Sequence, residues 1–451
     1  MGLLRVLTIV IGMSSAASVP LNAESLNDAL TAAYGHSGLL DQNRALLRAA
    51  DEDVALAVAA TLPVVNWAAN ASSQEPRAQG ADLIAATASL TANWTLYDSG
   101  AGQFAVEAQK ELVLGTRQSL INVEQQVLLS AVQAYMNVQR DDAFLGLRKN
   151  NVNLISQQLR AARDRFEVGE VTRTDVSLAE ARLAGAKSQV AAAEGQLARS
   201  IAEFKVATGR NPIALETVEP APVSKTLDAA KSFATRNHPA MKEAQHAVSA
   251  AELSILRGQA LSRPKVSVSG EVGIDQDGNI GRRIGLTASG PIYSGGSISA
   301  QIRQLMSRRD ASRAALHLTR HSIEQQVANA FSFYDVAAAM TDAAERQIRA
   351  ATVAFRGVKE EATLGTRTTL DVLNAEQELL NARADAISAQ VDRVVASYSL
   401  LSSMGLLTVD HLRLPVKKYD PTAYYNMVKD APTSMSEQGK ALDRILRAID
   451  N

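Results

Sequence analysis

Two periodicities take turns along the chain. From Ser25 to Thr61 apolar residues recur at helical spacing, and Pro63 ends the run. The period then becomes two. Val65, Trp67, Ala69 and Ala71 fall on one face, and Val64, Asn66, Ala68, Asn70 and Ser72 on the other. After a polar loop at 73–80, Leu90, Ala92, Trp94 and Leu96 alternate with Thr91, Asn93, Thr95 and Tyr97. Two strands of about ten residues with a polar loop predict a hairpin long enough to span a membrane. Asp98-Ser99-Gly100 opens a proline-free run that predicts a helix to about Phe166, on the order of 100 Å long. The stretch from Phe166 to Asp175 turns the chain. Gly169 can take positive φ there, and the Thr/Asp cluster beyond it can cap a returning helix over Asp175–Thr208. The two shorter helices together match the long one, so stacked end to end they would run alongside it.

The whole pattern then repeats about 196 residues later, with a slightly larger offset upstream of the hairpin. Gly365 repeats Gly169, Asp371 repeats Asp175, Tyr293 repeats Tyr97 and Pro264 repeats Pro63. A first unit spans 24–210, with a hairpin at about 63–97 and a helical turn near 169. A Pro-rich linker fills 211–225. A second unit spans 226–405, with one helix over Thr226–Leu261, a hairpin at about 264–293 and a turn near 365. In its second strand Ile284, Leu286, Ala288 and Ile292 form the apolar face. The segment 406–451 reads as irregular, with a loose or disordered helix from Met435 to Ile449.

Composition narrows the picture. The net charge is −1, which gives no basic face for nucleic acid, and aromatics make up only 4%, too few for a thick core. Ala-rich helices of this kind suit thin, close-packed layers. Residues 1–23, apolar from Leu3 to Met13 with Arg5 inside and Leu21-Asn22-Ala23 at the end, predict a cleaved secretory signal. The absence of cysteine excludes disulfides and thiolate metal sites. His317 and His321 have metal-ligand spacing but no zincin Glu between them, and read as solvated. No nucleotide-binding, nucleophilic or paired-acid motif predicts catalysis or a cofactor.

Four strands of membrane length cannot close a barrel alone, and an open sheet in lipid leaves its edges unpaired. Copies of the chain are therefore expected to share a barrel. Three copies give twelve strands and a tube; two give eight strands whose bore fills with side chains.

Val168-Gly169 with Thr174-Asp175-Val176, Leu364-Gly365-Thr366-Arg367-Thr368 with Leu370-Asp371-Val372-Leu373, and Pro291-Ile292-Tyr293-Ser294-Gly295-Gly296 together resemble the TolC family of outer-membrane efflux and type I secretion channels. The resemblance covers almost all of the mature chain. It implies a homotrimer in outer-membrane lipid: a twelve-stranded β-barrel continued by an α-helical periplasmic tunnel, with a belt from about Ala207 to Asp228 and from Leu406 onward. The tail from Leu414 to Pro421 is similar to the branch used for secretion as well as drug efflux. The implied role is a passive exit channel served by a periplasmic adaptor (membrane fusion) protein and an inner-membrane transporter of RND or ABC type. Asp371 matches a gate-ring carboxylate. The second ring position is Asn374, leaving one ring carboxylate per chain. Such carboxylates would repel, raise one another's pKa and attract cations. Arg367 matches a lock cation whose partners are Thr174 and Asp175, while the Tyr that usually faces Asp175 is Ala362. Val168, Gly169, Leu364, Gly365 and Thr366 match the adaptor-docking tips. An alternative from another class is a structural trimeric coiled-coil envelope protein, which would need no detergent.

Overall fold

A computed structural model describes residues 23–73, 84–223 and 226–449. The expected signal segment lies outside these residues except for Ala23, and so does the polar loop from residue 74 on. The first unit contains α1 (Leu26–His36), α2 (Gly38–Ala59), β1 (Val64–Ser73), β2 (Ile84–Tyr97), α3 (Ala101–Glu167) and α4 (Arg173–Thr208). The second contains α5 (Leu227–Asn237), α6 (Pro239–Ala260), β3 (Lys265–Asp275), β4 (Ile280–Ser289), α7 (Ser297–Thr363) and α8 (Thr369–Ser403). The tail adds α9 (Val409–Leu412), α10 (Pro421–Val428) and α11 (Glu437–Ile449).

Three expectations need correction. The helices expected over Ser25–Thr61 and Thr226–Leu261 are each broken, at Ser37 and at His238, which sit in extended backbone and cap the helix that follows. Pro239 lacks an N–H and biases His238 away from helical backbone; in the first unit the Ser37 hydroxyl caps Leu40 N instead. Strand β2 begins at Ile84, six residues before the alternation becomes visible, because Ala, Thr and Ser carry little polarity contrast. Strand β4 ends at Ser289, so Ile292 lies beyond it, fully exposed.

The four strands form one antiparallel sheet in the order β1-β2-β3-β4. Its register sorts the side chains into two faces. Trp67, Leu90, Val272 and Arg282 lie in one row, and Val65, Ala92, Gly270 and Ile284 in the next, on a face that also carries Trp94, Val268 and Leu286. The opposite face carries Asn66, Thr91, Glu271 and Arg283, with Asn93, Ser269 and Ser267 further along. A bulge between Thr95 and Tyr97 pairs Tyr97 with Val266. That switches Tyr97 to the apolar face, the reverse of the strict alternation.

Helices α3 and α7 are each 67 residues long, about 100 Å at the usual rise. Each starts after a glycine at positive φ, Gly100 (φ 88) and Gly296 (φ 84). The main core lies midway along them, where Leu30, Leu128, Val132, Phe204, Val394 and Leu407 pack together. The Tyr135 hydroxyl sits 2.8 Å from both the Glu24 and Glu216 carbonyls, fastening the N-terminal segment and the linker to α3.

Candidate functional site

Two places combine exposure with a built geometry: the sheet and the far ends of the helical hairpins. On the sheet, apolar side chains lie open to solvent, including Trp67 at 79%, Ile284 at 87% and Leu286 at 70% exposure. A contiguous apolar face of this kind marks a membrane or a partner. Trp94 is half-exposed and anchors its ring by donating Nε1–H to Thr61 O at 3.1 Å. Trp94 and Tyr97 lie at the helical end of the apolar face, the place of an interfacial aromatic belt. Within the chain β1 and β4 each pair on one side only. Among the described residues no helix is long and apolar enough to cross a membrane, which leaves a β-barrel open.

The two hairpin ends are built alike. Gly169 (φ 79) and Gly365 (φ 80) close α3 and α7 in left-handed backbone. Glu170 N returns to Arg165 O at 2.9 Å, and Thr366 N to Glu361 O at 3.0 Å, so the last carbonyls of each helix are satisfied. The returning helices begin with reciprocal caps. Thr172 donates its N–H and O–H to Asp175 Oδ2 at 2.9 and 2.8 Å, and Thr368 does the same to Asp371 at 3.0 and 2.9 Å. Val168 and Leu364, 71% and 80% exposed, project from the turns with nothing packed over them.

These caps fix what the acids can do. The Thr172 hydroxyl and backbone N–H hold the Asp175 carboxyl below the usual range, and the Thr368 backbone N–H and hydroxyl do the same for Asp371. Within one protomer the caps therefore push Asp371 in the direction opposite to the expected mutual repulsion. Arg367 donates Nε–H to Glu361 across its own turn at 2.8 Å, and no hydrogen bond or ion pair joins it to Thr174 or Asp175 within the protomer. Thr174 is exposed and Ala362 is buried. Asn374 accepts a long 3.4 Å hydrogen bond from Arg182, tying α8 to α4. His317 is exposed, and His321 lies 3.6 Å from Glu324.

Sequence reasoning missed Glu361, Arg182 and two buried acids. Asp51 is fully buried and Glu376 is 5% exposed, and neither carboxylate has a hydrogen-bond partner. Glu361 and Arg182 lie on helix faces that read as ordinary solvated charge. Each buried acid has a counterpart in the other unit that was readable as a repeated carboxylate, but burial was not.

A family model described as outer membrane efflux protein matches residues 30–210 and 232–406, one stretch in each unit. The outer membrane efflux protein BepC of Brucella suis biovar 1 is 34% identical over 420 residues, 90% of this chain and 91% of that protein. The outer membrane protein TolC of Escherichia coli K12 is 24% identical over 362 residues, 74% of this chain and 72% of its own. Among solved structures, one of CusC, concerned with its folding and transmembrane channel formation, superposes with a TM-score of 0.77 at 18% identity, covering 84% of this chain and 91% of that one.

Proposed function

This chain belongs to the outer membrane efflux protein family, and we propose that three copies of it form the outer-membrane exit duct of a tripartite drug efflux pump, a type I secretion system, or both. It is an outer-membrane channel protein and not an enzyme. The observation that carries the reading is the sheet: one apolar face, one polar face and two open edges, joined directly to helices about 100 Å long. In hydrocarbon each unpaired backbone group is worth several kcal/mol, so β4 of one copy pairs with β1 of the next until the barrel closes. Three copies place the polar faces around a water-filled bore and the apolar faces on lipid. The helices continue the bore across the periplasm.

The hairpin around Gly365 supplies the gate. One Asp371 per chain converges on the axis, kept ionised at neutral pH by its Thr368 cap, and Asn374 takes the place of a second acid. Arg367 exchanges Glu361 for Thr174 and Asp175 of the other hairpin in the closed assembly. Val168, Gly169, Leu364, Gly365 and Thr366 meet the adaptor, through which an RND or ABC transporter supplies cargo and energy. Single-channel recording of detergent-extracted protein in a planar bilayer tests this, with and without Asp371→Asn. Small cation-selective openings are expected, with selectivity and divalent block weakened in the variant. A well-folded oligomer that needs no detergent and never conducts would overturn the duct and favour a structural coiled coil.

A further inference from the structure

Corresponding positions in the two units hold the same pair of charges in different states. In the first unit Arg163 on α3 and Glu180 on α4 meet at 2.5 Å, both about half exposed. Their counterparts in the second unit, at the same offset that relates Gly169 to Gly365, are Lys359 on α7 and Glu376 on α8. No hydrogen bond joins these two, since neither Glu376 oxygen has a partner. Glu376 is instead buried, with both oxygens unpartnered, in the stripe formed by Val372, Leu379 and Leu380. Val372, one turn closer to the gate, borders a groove between α3 and the α7–α8 pair. Glu180 escapes this fate because α4 buries Ala179 instead.

Resting on the duct reading above, we propose that Glu376 is a proton-operated latch. When neutral, it stays in the seam and holds the gate end of α8 packed; when ionised, it leaves for Lys359 and frees α8 to move. The charged groups around it are few. From α7 the facing charge is Lys359, which acts on Glu376 electrostatically. The α3 wall of the neighbouring groove presents Gln157, Gln158 and Arg165. From α4, Arg182 is occupied by Asn374. Within one protomer Glu376 is already only 5% exposed. Desolvation, only partly offset by Lys359, pushes the Glu376 carboxyl up to about 7, so the latch operates near neutral pH. An ionised carboxylate left in that seam without hydrogen bonds is strongly disfavoured, so ionisation and departure are coupled.

Backbone hydrogen exchange of the full-length protein tests the latch without relying on conduction. Wild type and Glu376→Gln are compared at each pH from 5.5 to 8.5, so intrinsic exchange rates cancel. Segments of α8 near residue 376 should exchange alike in both proteins at low pH. Above about pH 7 the wild type should open progressively faster than the variant, by up to about tenfold per pH unit. Lys359→Met should move that midpoint to higher pH, while Lys359→Arg, which keeps the charge, should leave it near the wild-type value. A wild-type to Glu376→Gln ratio that stays flat across the range overturns the latch. In bilayers, wild-type openings should become more frequent as pH rises while Glu376→Gln openings do not. A wild type that exchanges as expected but never conducts leaves the latch standing and overturns the duct.

Discussion

Helices α3 and α7 have equal lengths and matching ends, yet very different surroundings. Helix α3 is covered by α2, α4, α6 and α8 and buries residues along its length, among them Leu128, Val132, Tyr135 and Met136. Helix α7 packs against α5, α6 and α8 and buries only Ile323, Val327, Ala337, Ala344 and Ala362. Phe333, Val336 and Met340 stand exposed on it. One helical pattern thus serves as an interior helix in one unit and as an edge in the other, and the open edge suits a following copy of the chain.

The same contrast decides which charges pair. Glu252 on α6 meets Arg313 on α7 at 2.6 Å, about half exposed. The counterparts are Asp51 on α2 and Arg117 on α3. There the tail lies across the helices: Tyr419 and Tyr425 pack beside Leu47, Val54 and Val113, and the Arg117 guanidinium sits 5.2 Å above the Tyr425 ring. Arg117 is drawn to an aromatic face, and the shorter Asp51 is left buried and unpaired. Each unit therefore makes one of the two ion pairs and leaves the other unmade, wherever an extra element covers the site.

The largest break in this comparison should come from the interior helix. Tyr135→Ala removes a fully buried ring that packs on Phe204 at 6.4 Å and its hydroxyl contacts to the Glu24 and Glu216 carbonyls, which keep Glu216 N and Gln139 Nε2 as their donors. A loss of about 3–5 kcal/mol is expected in thermal or denaturant unfolding. Proteolysis should then open the N-terminal segment and the linker first.

Asp51→Asn comes next, and its sign depends on pH. Burial raises the Asp51 carboxyl to about 6 against opposition from Arg117. Because the folded value lies above the unfolded one, the favourable contribution is complete below about 3.8 and is lost as pH rises through about 6. The variant should gain on wild type by up to about 3 kcal/mol near pH 8, and the gain should vanish below pH 4. Glu252→Gln, at the exposed and paired counterpart, should change stability by less than about 1 kcal/mol at neutral pH. Unfolding midpoints measured across pH decide both.

Phe333→Asp probes the edge helix. Within a protomer the change should cost less than about 0.5 kcal/mol, because the ring is 73% exposed. Assembly should weaken by about 2 kcal/mol per interface, as for a buried aromatic anchor, visible as loss of the trimer in native mass measurements. A variant that remains fully trimeric removes α7 from the subunit contact.

Much of this architecture could be read from residues. The repeat, the hairpins and both glycine turns announce themselves through spacing and through Gly169 and Gly365, where positive φ leaves little choice. Asp175 and Asp371 were equally visible as acids beside helix starts. The faces of the sheet followed the alternation until Tyr97, where a bulge, set by strand pairing rather than by local pattern, reversed the side. The paired or unpaired state of Glu180, Glu376, Asp51 and Glu252 was hidden for a different reason. It depends on what α3 and the tail cover, and coverage is a tertiary property that repeats do not share.

The smallest effect should fall where the units are most alike. Thr172→Ala and Thr368→Ala each delete a cap whose hydroxyl bridges an N3 carboxylate and an N3 amide. Each should cost about 1 kcal/mol of local helix stability, read as faster amide exchange in the first turn of α4 or α8. The hydrogen bonds agree to within a tenth of an ångström, so an isolated protomer should respond equally at both ends. In the assembled duct the symmetry should fail at the second end only. Removing the Thr368 hydroxyl takes away one of the two donors that hold Asp371 low and leaves the backbone N–H in place, so Thr368→Ala should raise modestly the pH at which cation selectivity disappears, while Thr172→Ala should leave it alone. Equal shifts in both variants would mean that Asp175 and Asp371 share the axis, and the gate would then belong to both hairpins.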